Sequence, residues 1–322
     1  MKVLVTGGAG FIGSHVCDAL LQRGNEVICV DNFNDYYDPR IKEKNIEHNL
    51  NNSNFTLFKV DITDLEKLKH IFQTQQPDKI VHLAARAGVR PSISQPFLYE
   101  KVNIQGILNL LELSREFRIK NFVSASSSSV YGNREKGPFS ESDDVNNPIS
   151  PYAATKKFGE LICYTYHHLH GLNTSCLRFF TVYGPRGRPD MAPLKFTKLI
   201  DSGQQIQVYG DGTSRRDYTY IKDIVKGVLA ALDKNYPYEI FNLGNSNPIE
   251  LNYFISVIED SLEKKANRIN VGKQQGDVEV TFADTTKTER MLGFKPDTDI
   301  KEGIKKMVQW YKGEWDGVEN FQ

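Results

Sequence analysis

Lys2-Val3-Leu4-Val5-Thr6-Gly7-Gly8-Ala9-Gly10-Phe11-Ile12-Gly13 opens the chain, and its reading decides the fold. An apolar run passes straight into glycines spaced G-x-x-G-x-x-G. Apolar residues then recur at helical spacing (Phe11, Ile12, Val16, Ala19, Leu20) as far as Gly24. Glu26-Val27-Ile28-Cys29-Val30 reads as a second strand, closed by Asp31. Strand, glycine loop, helix, strand and acid make up the context in which a dinucleotide fingerprint has physical meaning. The glycines permit a tight turn, close approach of backbone to a pyrophosphate, and intimate helix–sheet packing. Gly7, Gly10, Phe11, Ile12 and Gly13 are therefore expected to cradle a cofactor. A glycine triplet alone is only a turn; Asp31 at a strand end makes it more. A carboxylate there accepts hydrogen bonds from the adenosine ribose and repels a 2′-phosphate, and no arginine follows before Arg40. The expected cofactor is NAD.

Further along, residues 55–60 read as a third strand running into Asp61-Ile62, placed to line the adenine. Residues 79–83 form a buried strand leading to Ala84-Ala85, whose small side chains let the chain approach the cofactor. His82 on that apolar strand reads as an interior histidine and not as a catalyst. A long amphipathic helix is expected over 96–117, a fifth strand over 121–124, and a sixth over 173–180. Strands alternating with helices imply an α/β fold, a Rossmann-type doubly wound parallel sheet. Beyond Phe180 the texture turns to Gly, Pro and Arg, and a smaller C-terminal α/β substrate domain is expected. The division is residues 1–180 for the cofactor and 181–322 for the substrate, with 217–245 returning to the first.

At the C-terminal end of the fifth strand comes Ser126-Ser127-Ser128-Ser129, and downstream Tyr152-Ala153-Ala154-Thr155-Lys156. Ser150-Pro151 is a helix start, so Tyr152 and Lys156 share one face. A lysine ammonium beside a phenol favours the phenolate, and a serine hydroxyl can polarise the same substrate oxygen. The plain alternative is a surface helix with a half-buried Tyr and a solvated Lys.

Forty basic residues balance forty acidic ones among 322, which gives no electrostatic footprint for nucleic acid or a membrane surface. The four cysteines are scattered, as suits small buried thiols in a reducing compartment, and no metal site is expected. No apolar run reaches the length of a membrane span, and a signal-peptide core is broken at Thr6-Gly7-Gly8. A cytoplasmic enzyme is the expectation.

In order and spacing, these pieces resemble the extended short-chain dehydrogenases/reductases of the nucleotide-sugar epimerase/dehydratase family. The resemblance covers nearly the whole chain: residues 6–13, Asp31-Asn32, Asp61-Ile62, His82 to Ala85, residues 126–132, Tyr152 to Lys156, Arg178-Phe179-Phe180, Arg216-Asp217-Tyr218 and Gly276-Asp277. It implies that Tyr152 takes the proton from the sugar 4-hydroxyl. Lys156 would hold the nicotinamide ribose and lower the phenol's pKa. Ser127, four residues before Tyr131 of the V-Y-G turn, would be the catalytic hydroxyl. Asn32, Leu83, Ala84 and Ala85 join the cofactor contacts, and Ser128 and Thr181 the substrate contacts. Family dehydratases carry an Asp-Glu pair, and decarboxylases a Glu, where this chain has Ser128 and Ser129. Elimination of water needs an acid and a base beyond Tyr, so the implied reaction is 4-epimerisation.

Tyr183-Gly184-Pro185-Arg186-Gly187-Arg188-Pro189-Asp190-Met191-Ala192 resembles the loop in UDP-glucuronate 4-epimerases whose arginine holds the C6 carboxylate. Arg188 takes that role, with Arg186 the fallback, and a guanidinium meets a carboxylate with two parallel hydrogen bonds. A loop whose arginines meet solvent or an acidic neighbour is the alternative. Arg216 is implied for the diphosphate, with Arg215 and Arg90 behind it, and Asp277 for the nucleotide ribose. Gln274 stands where the family commonly has an arginine. Two rivals remain: a 4-epimerase of a neutral UDP-sugar, and an NAD-binding regulator without catalysis. The helices over 96–117 and 152–170 carry more apolar positions than one sheet face needs, and the family commonly dimerises through such a four-helix bundle. A homodimer is expected.

Overall fold

The computed structural model describes residues 1–134, 136–272 and 279–315. Apolar strands alternate with amphipathic helices from the first residue on. β1 (Lys2–Thr6), α1 (Phe11–Gln22), β2 (Glu26–Asp31), α2 (Pro39–Ile46), β3 (Phe55–Lys59), α3 (Leu65–Gln75) and β4 (Lys79–His82) come first. α4 (Val89–Ser94) precedes α5 (Pro96–Glu100) and α6 (Gly106–Glu116). A π-helical turn over Lys101–Gln105 joins these two, so the expected single helix contains a wide turn. β5 (Asn121–Ser127), α7 (Pro151–His170) and β6 (Thr174–Phe179) complete the first half.

The large sheet has seven strands, all parallel, with β10 (Tyr238–Leu243) at one edge and β3 at the other. Its order, β10-β6-β5-β4-β1-β2-β3, reverses direction between β1 and β4, and the C-terminal ends of those strands are where such sheets bind ligands. Alternate residues of β1 point to opposite faces. Val3 and Val5 join a core with α1 and α9 (Ile221–Lys234), while Leu4 joins a second core with α3, α6 and α7.

The second half adds β7 (Thr181–Tyr183), α8 (Ala192–Asp201), β8 (Gln205–Tyr209) and β9 (Arg215–Tyr220). After β10 come β11 (Pro248–Glu250), α10 (Leu251–Leu262), β12 (Asn267–Val271), β13 (Val280–Thr281), α11 (Thr286–Leu292) and α12 (Ile300–Glu314). β7, β11 and β13 pair with β9 in a small sheet, and β8 with β12 in another. Within the segment 217–245, then, β10 extends the large sheet and α9 packs on it, but β9 belongs to the small one. All four cysteines are buried thiols. Among the described residues no helix is long and apolar enough to cross a membrane.

Candidate active site

A cavity of about 430 Å³ opens at the C-terminal ends of the large sheet's strands. Gly7, Gly10, Phe11, Ile12 and Gly13 line it on one side. Gly7 has φ +69°, and a Cβ on Gly13 would fall 2.0 Å from the Gly7 carbonyl oxygen, so only glycine fits there. No side chain caps the first turn of α1, which has no acidic residue, so its amides face the cavity as an anion site. Asp31 is buried at the end of β2. Its two oxygens each accept one backbone N–H, from Phe33 (2.9 Å) and Ala9 (3.2 Å), which leaves lone pairs for ribose hydroxyls. Val60, Ile62, Leu83, Ala84 and Ala85 add an apolar wall. These residues fit NAD: a glycine cradle without Cβ atoms, a free helix start, and an acid where the ribose belongs.

Asn32 lines the cavity, and Asp61 stands behind it as its hydrogen-bond partner, outside the cavity wall. Its carboxylate is taken up by the Thr63 amide and hydroxyl (2.8 and 2.7 Å) and by Asn32 Nδ2 (2.7 Å). The polar stretch 32–52 supplies part of the cavity wall. Asp38 caps α2, and the segment lays Asn34, Tyr36, Tyr37 and Lys42 along the cavity. Buried Lys42 lies 4.0 Å from Asp31 and donates to the Asn34 carbonyl at 3.0 Å. The adjacent pair Tyr36-Tyr37 in so polar a stretch was the one signal available.

Ser150 caps α7, its Oγ accepting from the Ala153 amide at 3.1 Å. Tyr152 and Lys156 both face the cavity, with Ser126, Ser127, Ser128 and Ser129 opposite. Desolvation in the cleft raises the Tyr152 pKa; the neighbouring Ser127 hydroxyl and the charge of Arg188 oppose it. Lys156 Nζ donates to the Ala125 carbonyl at 2.8 Å, and burial pulls its own pKa down to about 8. The serines divide by direction. Ser126 Oγ donates to buried Glu160 at 2.7 Å, while Ser127 Oγ accepts from the Ser129 amide at 3.1 Å and faces Tyr152. His82 is interior: its Nδ1 shares a 2.8 Å hydrogen bond with Thr6 Oγ1, and burial drops its pKa to about 3.

The arginine loop settles one choice. Arg186 points away, in an ion pair with Asp18 of α1 at 2.7 Å, so the fallback is withdrawn. Arg188 lines the cavity together with Thr181 and Met191. It also has an acidic neighbour. Nε donates to Asp190 Oδ1 at 3.0 Å, Nη2 to Asp190 Oδ2 at 2.5 Å, and Nη2 reaches the Tyr36 hydroxyl at 3.3 Å. Arg90 and Arg216 stand outside the described cavity wall. The Arg90 guanidinium lies 5.2 Å from the Tyr209 ring centroid, and Arg216 donates to the Arg215 and Glu279 carbonyls. Gln274 and Asp277 lie outside the described residues.

A family model described as GDP-mannose 4,6-dehydratase matches residues 4–307. The chain is 48% identical to a UDP-glucuronate 4-epimerase of Thermodesulfobacterium geofontis over 96% of its length and 95% of the relative's. Its fold is similar to that of the Bacillus cereus UDP-glucuronic acid 4-epimerase in complex with UDP-glucuronic acid and NAD. There the TM-score is 0.90 at 37% identity, over 97% of this chain and 99% of the other. A UDP-glucose 4-epimerase of Thermotoga maritima with UDP-glucose gives a TM-score of 0.88 at 34% identity, over 97% and 99%. With hydroxyls in place of the acids a dehydratase needs, and with Tyr152, Ser127 and the NAD cradle on one cavity, the chain belongs to the nucleotide-sugar epimerase/dehydratase family of extended short-chain dehydrogenases/reductases, as an NAD-dependent nucleotide-sugar 4-epimerase, an isomerase.

Proposed function

We propose that this epimerase interconverts UDP-glucuronate and UDP-galacturonate. The observation that carries the reading is Arg188, a cation in the cavity wall close enough for its charge to act on the Tyr152 phenol. A neutral sugar offers that cation no anion. Bound NAD supplies a reversible hydride acceptor for C4. Tyr152 takes the proton from the C4 hydroxyl and returns it after the keto-sugar has turned over, with Ser127 donating to the same oxygen. Lys156 holds the nicotinamide ribose. Ser128 and Thr181 bind the sugar, while Arg216, Arg90 and Asp277 serve the nucleotide end. Residues 1–180 form the NAD unit and 181–322 the nucleotide-sugar unit, with β10 lent to the first.

Oxidation at C4 of a glucuronate gives a β-keto acid, which loses CO₂ readily. A restrained carboxylate, poorly aligned with the carbonyl π-system, slows that loss. Arg188→Ala should weaken UDP-glucuronate binding by a few kcal/mol, the scale for truncating one side of a desolvated charge pair, and leave UDP unchanged. More turnovers should then release CO₂ and a 4-keto-pentose. Calorimetry with both ligands tests this: equal losses for the two assign Arg188 to the diphosphate or the fold. One observation favours the rival, a neutral-sugar epimerase. Arg188 already has a carboxylate partner in Asp190.

The protein is also proposed to form a homodimer through α5–α7. Phe97, Leu161, Tyr164 and Leu169 are exposed there, Phe97 at 86%. Leu161→Glu should shift the mass by light scattering from dimer to monomer; a wild-type monomer at micromolar concentration contradicts it.

A further inference from the structure

Arg188 carries five N–H groups in a planar fork. Asp190 takes the Nε–Nη2 side, in the arrangement a free carboxylate would adopt, and the Tyr36 hydroxyl accepts from Nη2 at 3.3 Å and donates to Asp190 Oδ2 at 3.4 Å. Among the described residues Nη1 has no hydrogen-bond partner. Arg188 and Met191 line the cavity, but Asp190 between them does not. The guanidinium is thus gripped from behind. Its side chain is 19% exposed, that of Asp190 38%.

We propose that Asp190, with Tyr36, is a positioning and specificity residue: by occupying the Nε–Nη2 side of Arg188 it leaves the ligand a one-ended contact at Nη1, a pivot about which a carboxylate-bearing sugar can reverse its faces. This rests on the reading of Arg188 as the carboxylate's partner. It differs from the two-bond fork expected from the sequence. A bidentate pair would have to break, or hold the ring still, between the two proton transfers; a single-ended one does neither. Asp190 further lowers the pull of Arg188 on any second anion, because its own charge lies within hydrogen-bond distance.

The inference predicts opposite movements of affinity and turnover. Asp190→Asn should bind UDP-glucuronate about tenfold more tightly, since the like charge it removes stands across the guanidinium from the ligand's carboxylate, a repulsion worth at least that much near a protein surface. UDP affinity should not change. kcat should fall, because ground-state binding that also restrains the turning intermediate slows the reaction. Tyr36→Phe, which removes the hydroxyl's contacts with both Nη2 and Asp190 Oδ2 and keeps the Asp190 charge, should move both quantities the same way by less. A merely structural role for Asp190 would weaken binding and turnover together.

The experiment is calorimetric titration of the NAD-loaded wild type and the Asp190→Asn, Tyr36→Phe and Arg188→Ala variants with UDP and UDP-glucuronate, with kcat measured in parallel. Tighter UDP-glucuronate binding, unchanged UDP binding and lower kcat in Asp190→Asn support the inference. Unchanged or weaker UDP-glucuronate binding there overturns it. Should Asp190→Asn lose UDP as well, Tyr36→Phe decides, and no gain in it overturns the inference. Equal loss of both ligands in Arg188→Ala sinks the glucuronate reading itself, whereas a selective loss there without a gain in Asp190→Asn sinks only the pivot.

Discussion

Glu160 and Arg178 are each 1% exposed, and together they fasten α7 to β6 beneath the reacting groups. Arg178 Nε and Nη2 reach the two Glu160 oxygens at 2.7 and 2.9 Å, and Ser126 Oγ donates to the first of these at 2.7 Å. Among the described residues, Glu160→Leu would leave the guanidinium with the Tyr131 hydroxyl at 3.0 Å and the Tyr131 ring as partners, and would also remove the carboxylate that lies 3.5 Å from Lys157. Leaving one member of a buried pair uncompensated costs about 3–5 kcal/mol, a large share of the roughly 5–15 kcal/mol that holds a protein folded. Replacing both charges by apolar side chains is close to neutral, so Glu160→Leu with Arg178→Met should recover most of the loss. Urea unfolding at fixed NAD, followed by far-UV circular dichroism, measures both. A single-variant loss below about 1 kcal/mol, or a double variant no better than the single, would refute the reasoning.

Tyr152→Phe should keep the fold and NAD binding while turnover drops by about 10²–10⁴-fold, the usual cost of losing a general base; near wild-type turnover removes Tyr152 from the mechanism. Tyr152 works deprotonated and Arg188 opposes the rise in its pKa, so Arg188→Ala should move the rising limb of the kcat/KM profile to higher pH. A limb moving to lower pH contradicts this. Gly13→Ala should abolish NAD binding and destabilise the protein, because its Cβ would lie 2.0 Å from the Gly7 oxygen; NAD titration by tryptophan quenching checks it. His82 folds with a pKa near 3 against 6.5 unfolded, so as pH falls below 6.5 the unfolded state takes up the proton first and stability is lost. Between pH 6.5 and 5 the loss should be about 2 kcal/mol, read as the difference in urea stability between wild type and His82→Asn.

The stretch from Lys2 to Asp31 could be read directly because its signals are local: an unbroken apolar run, glycines only a tight turn needs, and an acid closing the next strand. Tyr152 and Lys156 were legible for the same reason, as positions one helical turn apart behind a Ser-Pro cap. What escaped was set by distant partners. Nothing near Arg186 says that Asp18, on α1, will claim it, nor near Lys156 that the Ala125 carbonyl will receive its ammonium. Tyr36 and Lys42 escaped because α2 is placed by distant partners, the Ala9 carbonyl for Asn45 and Leu194, Tyr311 and Trp315 for Ile41. The assignment of β9 to the small sheet and β10 to the large one depends on strand pairing, which apolar pattern alone does not encode.

The central claim is the substrate. Incubating the purified protein with NAD and UDP-glucuronate, and following the sugar by ¹H NMR, tests it most directly. The account predicts conversion to UDP-galacturonate with little 4-keto-pentose, and no comparable interconversion of UDP-glucose and UDP-galactose. Inertness toward UDP-glucuronate, with turnover of the neutral pair, would contradict it.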